Sequence, residues 1–232
     1  MKMLEGLSPM LDKLYRSMPV FMPRRLKVLR DKSGRLLDLG CGPLGPKRLG
    51  NLFQGQIEYH GVDIQDLRPI TSKSWNFYQL DLDKDRLPFP SETFDLAVMS
   101  HILEHLCDPC RAVCETHRVL KHGGILYCEV PSVMSIFVPS ISFGLRKEGT
   151  INFYDDPTHH RPFSKIALVH RLTSCGFKII RTGTARNWIK VLAAPIGILL
   201  AFAVRDRCML ASFLWDIFGC AVFAVAKKER QS

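Results

Sequence analysis

The chain has 232 residues, 47% hydrophobic and 23% charged, a globular balance with enough apolar material for a full core, which excludes a disordered or low-complexity polymer. Its 32 basic against 22 acidic residues leave a formal net charge of +10, which favours anionic partners such as a membrane surface, a nucleic acid or a phosphorylated substrate. No basic run is interleaved with aromatics, so a nucleic-acid stacking platform is not expected.

In chain order, residues 1–32 read as a helical lead-in. Leu11, Leu14 and Tyr15 have helical spacing, and Leu26 and Leu29 alternate with Arg24, Arg25 and Lys27. Pro9, Pro19 and Pro23 interrupt any continuous apolar core, so no secretory signal is expected. The eight cysteines are then expected as reduced thiols of a cytoplasmic protein. Cys107, Cys110 and Cys114 form one cluster, but no second C-x2-C follows, and no metal is expected there.

Leu36, Leu37 and Leu39 predict a short buried strand, closed at once by Gly40, Gly42 and Gly45 with Pro43 and Pro46 between and after them. Strand, glycine turn, helix is how an open α/β sheet builds a nucleotide site, although a lone glycine signature is weak. A short helix is expected over 47–53. The second strand, Ile57–Ile64, ends on Asp63, at the spacing where such folds place a carboxylate for ribose hydroxyls. A third strand over Trp75–Leu80 is closed by Asp81 and Leu82, and Phe94–Met99 is a fourth, buried one. A helix over Pro109–Leu120, stopped by Gly123 and Gly124, leads into a fifth strand over Ile125–Val130. Strands alternating with helices predict a parallel, doubly wound sheet. Glycine turn and Asp63 alone would also suit a nicotinamide-dependent oxidoreductase.

The dense polar stretch Asp155–Ser164 precedes a helix over Lys165–Ser174, with Ser164 as N-cap and Gly176 beyond its end. His159 and His160 titrate near neutrality and are candidate general bases. Arg161 suits a carboxylate or phosphate. The competing reading is a rigid, hydrogen-bonded loop.

Asp-Leu-Gly-Cys-Gly at 38–42, Gly-Val-Asp at 61–63, Leu-Pro-Phe-Pro at 87–90 followed by Phe-Asp-Leu-Ala-Val at 94–98, Leu-Glu-His at 103–105 and Arg-Val-Leu-Lys-His-Gly-Gly at 118–124 stand in this order. In order and spacing the set resembles class I S-adenosylmethionine-dependent methyltransferases of the type 11 kind, over about residues 33–185. The resemblance implies a Rossmann-like α/β/α fold around a seven-stranded sheet with an antiparallel last strand. Its sixth strand would be Gly176–Ile180 and its seventh Phe218–Ala226, all within a single methyltransferase domain over 1–232. It also implies S-adenosyl-L-methionine as cofactor. Asp38, Gly40, Cys41 and Gly42 would line the methionine part, Asp63 with Ile64 beside it would hold the ribose, Asp81 and Leu82 would meet the adenine, and Ser100 and His101 would close the site.

His101, Glu104 and His105 read H-x-x-E-H, and on a helix the two histidines share a face. The stretch resembles quinone-biosynthesis O-methyltransferases, whose E-x-x-E-H serves a divalent metal. Here His101 replaces the first acid, and no metal is assigned. Glu104 and His105 are expected as a buried, hydrogen-bonded pair supporting the site. The run around His159 resembles methyltransferases of bacterial glycans and lipids. His159, His160 and His101 are the catalytic candidates, and Arg161 and His105 the substrate-binding ones.

Residues 188–215 form a hydrophobic insertion between strands six and seven, flanked by Trp188, Lys190, Arg205 and Arg207. The uninterrupted run is shorter than the roughly 20 residues a bilayer requires and contains Pro195 and Gly197. It is expected to dip into one leaflet with its basic residues at lipid head groups, placing the protein peripherally on the inner face of a membrane. A dimer interface and a cap over an apolar substrate are the alternatives. The expected acceptor is a hydroxyl of a glycan, lipid-linked saccharide or other amphiphile. The alternative is a soluble aromatic or quinone-like molecule.

Overall fold

The computed structural model describes residues 33–43, 45, 49, 57–68, 76–138, 140 and 152–229, with side chains of all but Arg207 and Cys208. The helical lead-in, most of the helix expected over 47–53, and Trp75 lie outside the described residues.

Seven strands build one sheet: β1 (Gly34–Leu39), β2 (Ile57–Asp63), β3 (Asn76–Gln79), β4 (Phe94–Ser100), β5 (Leu120–Pro131), β6 (Phe177–Thr184) and β7 (Ala221–Lys228). Their order is β3-β2-β1-β4-β5-β7-β6. β1 to β5 pair in parallel, and β7 runs antiparallel between β5 and β6. This is the doubly wound, Rossmann-like sheet expected, with the antiparallel last strand in place. Alternate side chains face opposite sides. Leu37, Leu39, Ala97, Met99, Leu126 and Cys128 enter one core, while Leu36, Leu96, Val98, Ile125 and Tyr127 enter the other.

The first core is covered by α1 (Pro109–Val119) and α2 (Lys165–Ser174). Asp108 caps α1 by accepting from the Cys110 and Arg111 amides ahead of the proline start, and Ser164 caps α2 by accepting from Ala167. The two helices bring Cys114 and Cys175 together as a disulfide, with Cα atoms 5.0 Å apart. The expectation of eight reduced thiols is corrected there, and the Cys107–Cys110–Cys114 cluster is split. A pairing across 61 residues of sequence depends on helix packing that no local spacing records.

β5 begins at Leu120, earlier than expected. Gly123, at φ +83°, lies within it rather than before it, and the strand absorbs the turn as a register shift against β4 between Phe94 and Leu96.

The insertion is a pair of helices, α3 (Trp188–Ala203) and α4 (Arg207–Phe218). Pro195 sits inside α3 without ending it. Gly197 lies against the Phe213 ring, where an added Cβ would fall 2.1 Å from a ring carbon, so the close approach of the two helices requires glycine. Among the described residues no helix is long and apolar enough to cross a membrane.

Candidate active site

The carboxyl ends of β1, β2 and β4 meet at the glycine turn. Gly40 and Gly42 hold φ of +69° and +57°, a region glycine enters without a Cβ penalty. The amides of Gly40 and Cys41 donate to the Val62 carbonyl at 2.8 and 3.1 Å. Asp63 accepts from the Gly42 amide through Oδ2 and from the Gln65 amide through Oδ1, both at 2.9 Å. Asp38 is buried beneath the turn and accepts the Tyr59 hydroxyl at 2.5 Å. Cys41 is buried, and that burial, with Asp38 and Asp63 nearby, pushes its thiol up to about 12.

The surroundings fit a nucleotide-bearing cofactor. Among the described residues a Cβ on Gly42 would meet nothing within 4 Å, so none of them covers the backbone there. Ile64 beside Asp63 is 63% exposed, an apolar surface next to the strand-end carboxylate. The Leu80 amide donates to the Asp63 carbonyl at 2.9 Å, which brings Asp81 alongside. Asp81 pairs with Lys84 at 2.8 Å and accepts from the Asp83 amide, while the Leu82 side chain turns into the core and leaves only backbone to the site. Asp83 is occupied elsewhere, accepting the amides of Cys107 and Asp108.

Past Ser100 the chain turns sharply. His101 adopts φ +56° and Leu103–His105 is a single 3-10 turn. The two histidines of H-x-x-E-H therefore do not share a helical face, which corrects the expectation. His101 lies between two buried acids, with Nδ1 3.3 Å from Glu104 Oε1 and Nε2 3.6 Å from Glu129 Oε1. Burial pushes its pKa down, but the two carboxylates outweigh that and raise it to about 9. The two carboxylates thus favour the imidazolium form of His101 over the free base. Its ring lies 5.9 Å from that of Trp215 on α4.

His105 turns the other way, its ring centroid 4.6 Å from that of His159. Burial lowers the His105 pKa against the pull of Glu104, which favours the neutral ring. The expected Glu104–His105 hydrogen bond is absent: His105 bonds Thr158 at 2.8 Å, and neither oxygen of fully buried Glu104 has a hydrogen-bond partner among the described residues. His159 stacks on Phe153 and donates from Nδ1 to its carbonyl at 2.7 Å.

The neighbouring candidates part company. His160 points to Cys107, with Nε2 3.7 Å from Sγ, and Arg161 donates to the Cys107 carbonyl at 2.8 Å. Both brace the turn around Cys107. Glu129, Trp215 and Tyr59 escape sequence reasoning. Glu129 carries one signal, an acid within the apolar strand Ile125–Val130, where it accepts the Tyr127 hydroxyl.

A doubly wound sheet with this strand order, an acid-and-glycine turn after β1 and a carboxylate ending β2 defines the class I S-adenosylmethionine-dependent methyltransferase fold. The chain matches the model of a methyltransferase domain over residues 13–182, and it belongs to that family. It is similar to the uncharacterized methyltransferase C1B3.06c of Schizosaccharomyces pombe, 29% identical over 126 residues, or 46% of this chain and 43% of the relative. It spans less than half the length of the curated relatives it matches. Its fold is that of a putative methyltransferase solved with the Haloferax volcanii Trm112 activator, at a TM-score of 0.64, 16% identity and 98% of both chains. It is also that of a SAM-dependent methyltransferase from Archaeoglobus fulgidus, at 0.59, 22% identity, 94% of this chain and 98% of the other. S-adenosylmethionine is the cofactor of this family and fits the turn described above, which sets aside the nicotinamide reading.

Proposed function

We propose that the protein transfers a methyl group from S-adenosylmethionine to a hydroxyl of an amphiphilic acceptor, a glycan or lipid-linked saccharide, presented at a membrane face. One observation supports the acceptor class: the helical pair that packs Trp215 against His101 carries an uncovered apolar face. Leu192, Ile196 and Leu199, spaced for one side of α3, are 81, 69 and 70% exposed, with Trp188, Ile189 and Phe202 also open. Large exposed apolar patches mark interaction sites. Arg186 and Arg205 are exposed at the two ends of α3, and the net charge is +10, which suits anionic head groups. Lys190, expected among those head groups, turns inward to Asp216 at 3.4 Å and Ser212 at 2.6 Å, where it ties α3 to α4.

When bound, S-adenosylmethionine supplies a methyl already activated by its sulfonium. Positioning then carries most of the catalysis, and orientation can contribute about 7–11 kcal/mol. The glycine turn would hold the methionine end and Asp63 the ribose. His101, as an imidazolium held by two acids, closes the floor beside β4. A hydroxyl acceptor must lose a proton, and His105 and His159 each present Nε2 as the lone-pair nitrogen.

Flotation with anionic vesicles tests the membrane face. The full chain is expected to float, and a Leu192→Asp, Ile196→Asp, Leu199→Asp variant to stay in the pellet while binding S-adenosylhomocysteine normally. A wild-type chain that stays with the pellet overturns the membrane reading and leaves the soluble-acceptor alternative. Labelled-methyl transfer into lipid or small-molecule extracts then identifies the acceptor pool.

A further inference from the structure

We propose that Glu104, His105 and His159 bind one divalent transition-metal ion of the zinc, manganese(II) or iron(II) class. The inference goes beyond the acceptor reading and does not depend on it; with the ion bound, the two Nε2 lone pairs serve the metal, and an acceptor hydroxyl is acidified by the ion and gives its proton to solvent water rather than to either histidine.

Three observations carry it. First, one ligand atom from each of the three side chains lies within 4.8 Å of the other two. Metal bonds of about 2.0–2.2 Å put ligand atoms roughly 3–3.5 Å apart, so the side chains close by about an ångström around the ion. Their donors come from two segments far apart in sequence, the turn after β4 and the loop before α2.

Second, both imidazoles engage Nδ1 in a hydrogen bond as donor, which leaves Nε2 as the lone-pair nitrogen that can ligate. The Phe153 carbonyl can only accept, so His159 Nδ1 carries its proton and Nε2 its lone pair. For His105 two hydrogen bonds set this. The Thr158 hydroxyl donates to Asp156 Oδ1 at 2.6 Å, so its oxygen accepts from His105 Nδ1–H at 2.8 Å. Again Nε2 is left with the lone pair. An N–H anchored to a carbonyl or to a carboxylate-linked acceptor is the outer arrangement that orients metal-binding histidines.

Third, Glu104 is fully buried and neither carboxylate oxygen has a hydrogen-bond partner among the described residues. The nearest cation is His101, which divides itself between Glu104 and Glu129. A buried carboxylate without hydrogen bonds is costly, and a coordinated cation removes that cost. Two imidazoles and one carboxylate are a donor set for zinc or a redox-active first-row ion rather than for magnesium, which prefers oxygen. Three protein ligands leave positions open for an oxygen donor, water or the acceptor hydroxyl.

The test uses the full chain stripped with a chelator and titrated calorimetrically with zinc, manganese(II) and magnesium chlorides, with metal content measured after desalting. One zinc per chain is expected, with little heat from magnesium. Glu104→Gln and His159→Ala should each weaken zinc binding at least tenfold. Thr158→Val touches no ligand atom and should weaken it about tenfold, within the range of about 10–100-fold for outer-shell changes. Cys107→Ser should leave zinc affinity unchanged. No uptake by folded wild-type chain, uptake indifferent to the first three changes, or uptake lost in Cys107→Ser each overturns the proposal. Circular dichroism reports whether each variant is folded. Binding of S-adenosylhomocysteine, measured on the same samples, tests the cofactor reading separately.

Discussion

Asp63 Oδ2 accepts the Gly42 amide at 2.9 Å, so the acid that ends β2 holds the turn that ends β1. One carboxylate thus shapes the cradle, and a ribose contact would fall on that same group. Replacing it with alanine removes a ligand contact and releases the loop together. Asp63→Ala should weaken S-adenosylhomocysteine binding at least tenfold by calorimetry, and Asp63→Asn, which keeps one carbonyl acceptor, should fall between. An unchanged dissociation constant in Asp63→Ala would refute the ribose role.

Gly42 offers a sharper probe of the same cradle. A methyl there meets no atom of the described residues, yet the backbone holds φ +57°. Gly42→Ala should cost folding only about 1–2 kcal/mol, the left-handed penalty of an L residue. Cofactor affinity should fall well beyond that, because the methyl enters the open space above the turn. A variant that loses stability but keeps full affinity would show that the cofactor does not approach Gly42.

Adjacent histidines should behave differently. His159 faces His105, while His160 faces Cys107. His159→Ala should lower methyl transfer by at least about 100-fold, in the range lost with a positioned acid–base group, with S-adenosylhomocysteine binding retained. His160→Ala should lower it less than about tenfold. Equal losses in the two variants would mean that the loop acts as a structural unit.

Acid stability should report Asp95. Burial pushes its pKa up, but Lys121 at 2.8 Å and the Arg35 amide at 2.9 Å overcome this and hold the carboxyl below its ordinary value. A depressed carboxylate adds stability above its unfolded pKa, near about 3.9, and loses it as pH falls through the folded value. The melting temperatures of wild type and Asp95→Asn should therefore differ most near neutral pH and converge below about pH 4. A constant gap across that range would remove Asp95 from the acid response.

The sheet was legible because its signals are local. Leu36–Leu39, Ile57–Asp63 and Phe94–Ser100 announce themselves by apolar runs closed by glycine or acid. The cofactor half of the site was legible for the same reason, since Asp63 sits at a strand end. The cluster of His101, His105, His159 and Trp215 was not, because it is made by folding. His159 meets His105 across more than fifty positions, and Trp215 reaches His101 from the far side of the sheet order. H-x-x-E-H misled in one respect: its helical reading fails at His101, whose positive φ no side-chain pattern announces. The Cys114–Cys175 disulfide was likewise hidden in the packing of α1 on α2.

The helical pair α3–α4 leaves the sheet at Thr184 and returns at Val222, and these two residues are register partners. The Ala185 amide already donates to the Ala221 carbonyl at 2.8 Å just beyond them. A tight turn could join β6 to β7 at that point, so the ends of the segment are brought together by strand pairing and not by its own helices. Loop-closure entropy grows only slowly with length, so the segment can lengthen, shorten or be exchanged with little effect on strand register. The helical pair is thus an exchangeable head, seated on a sheet whose register holds without it.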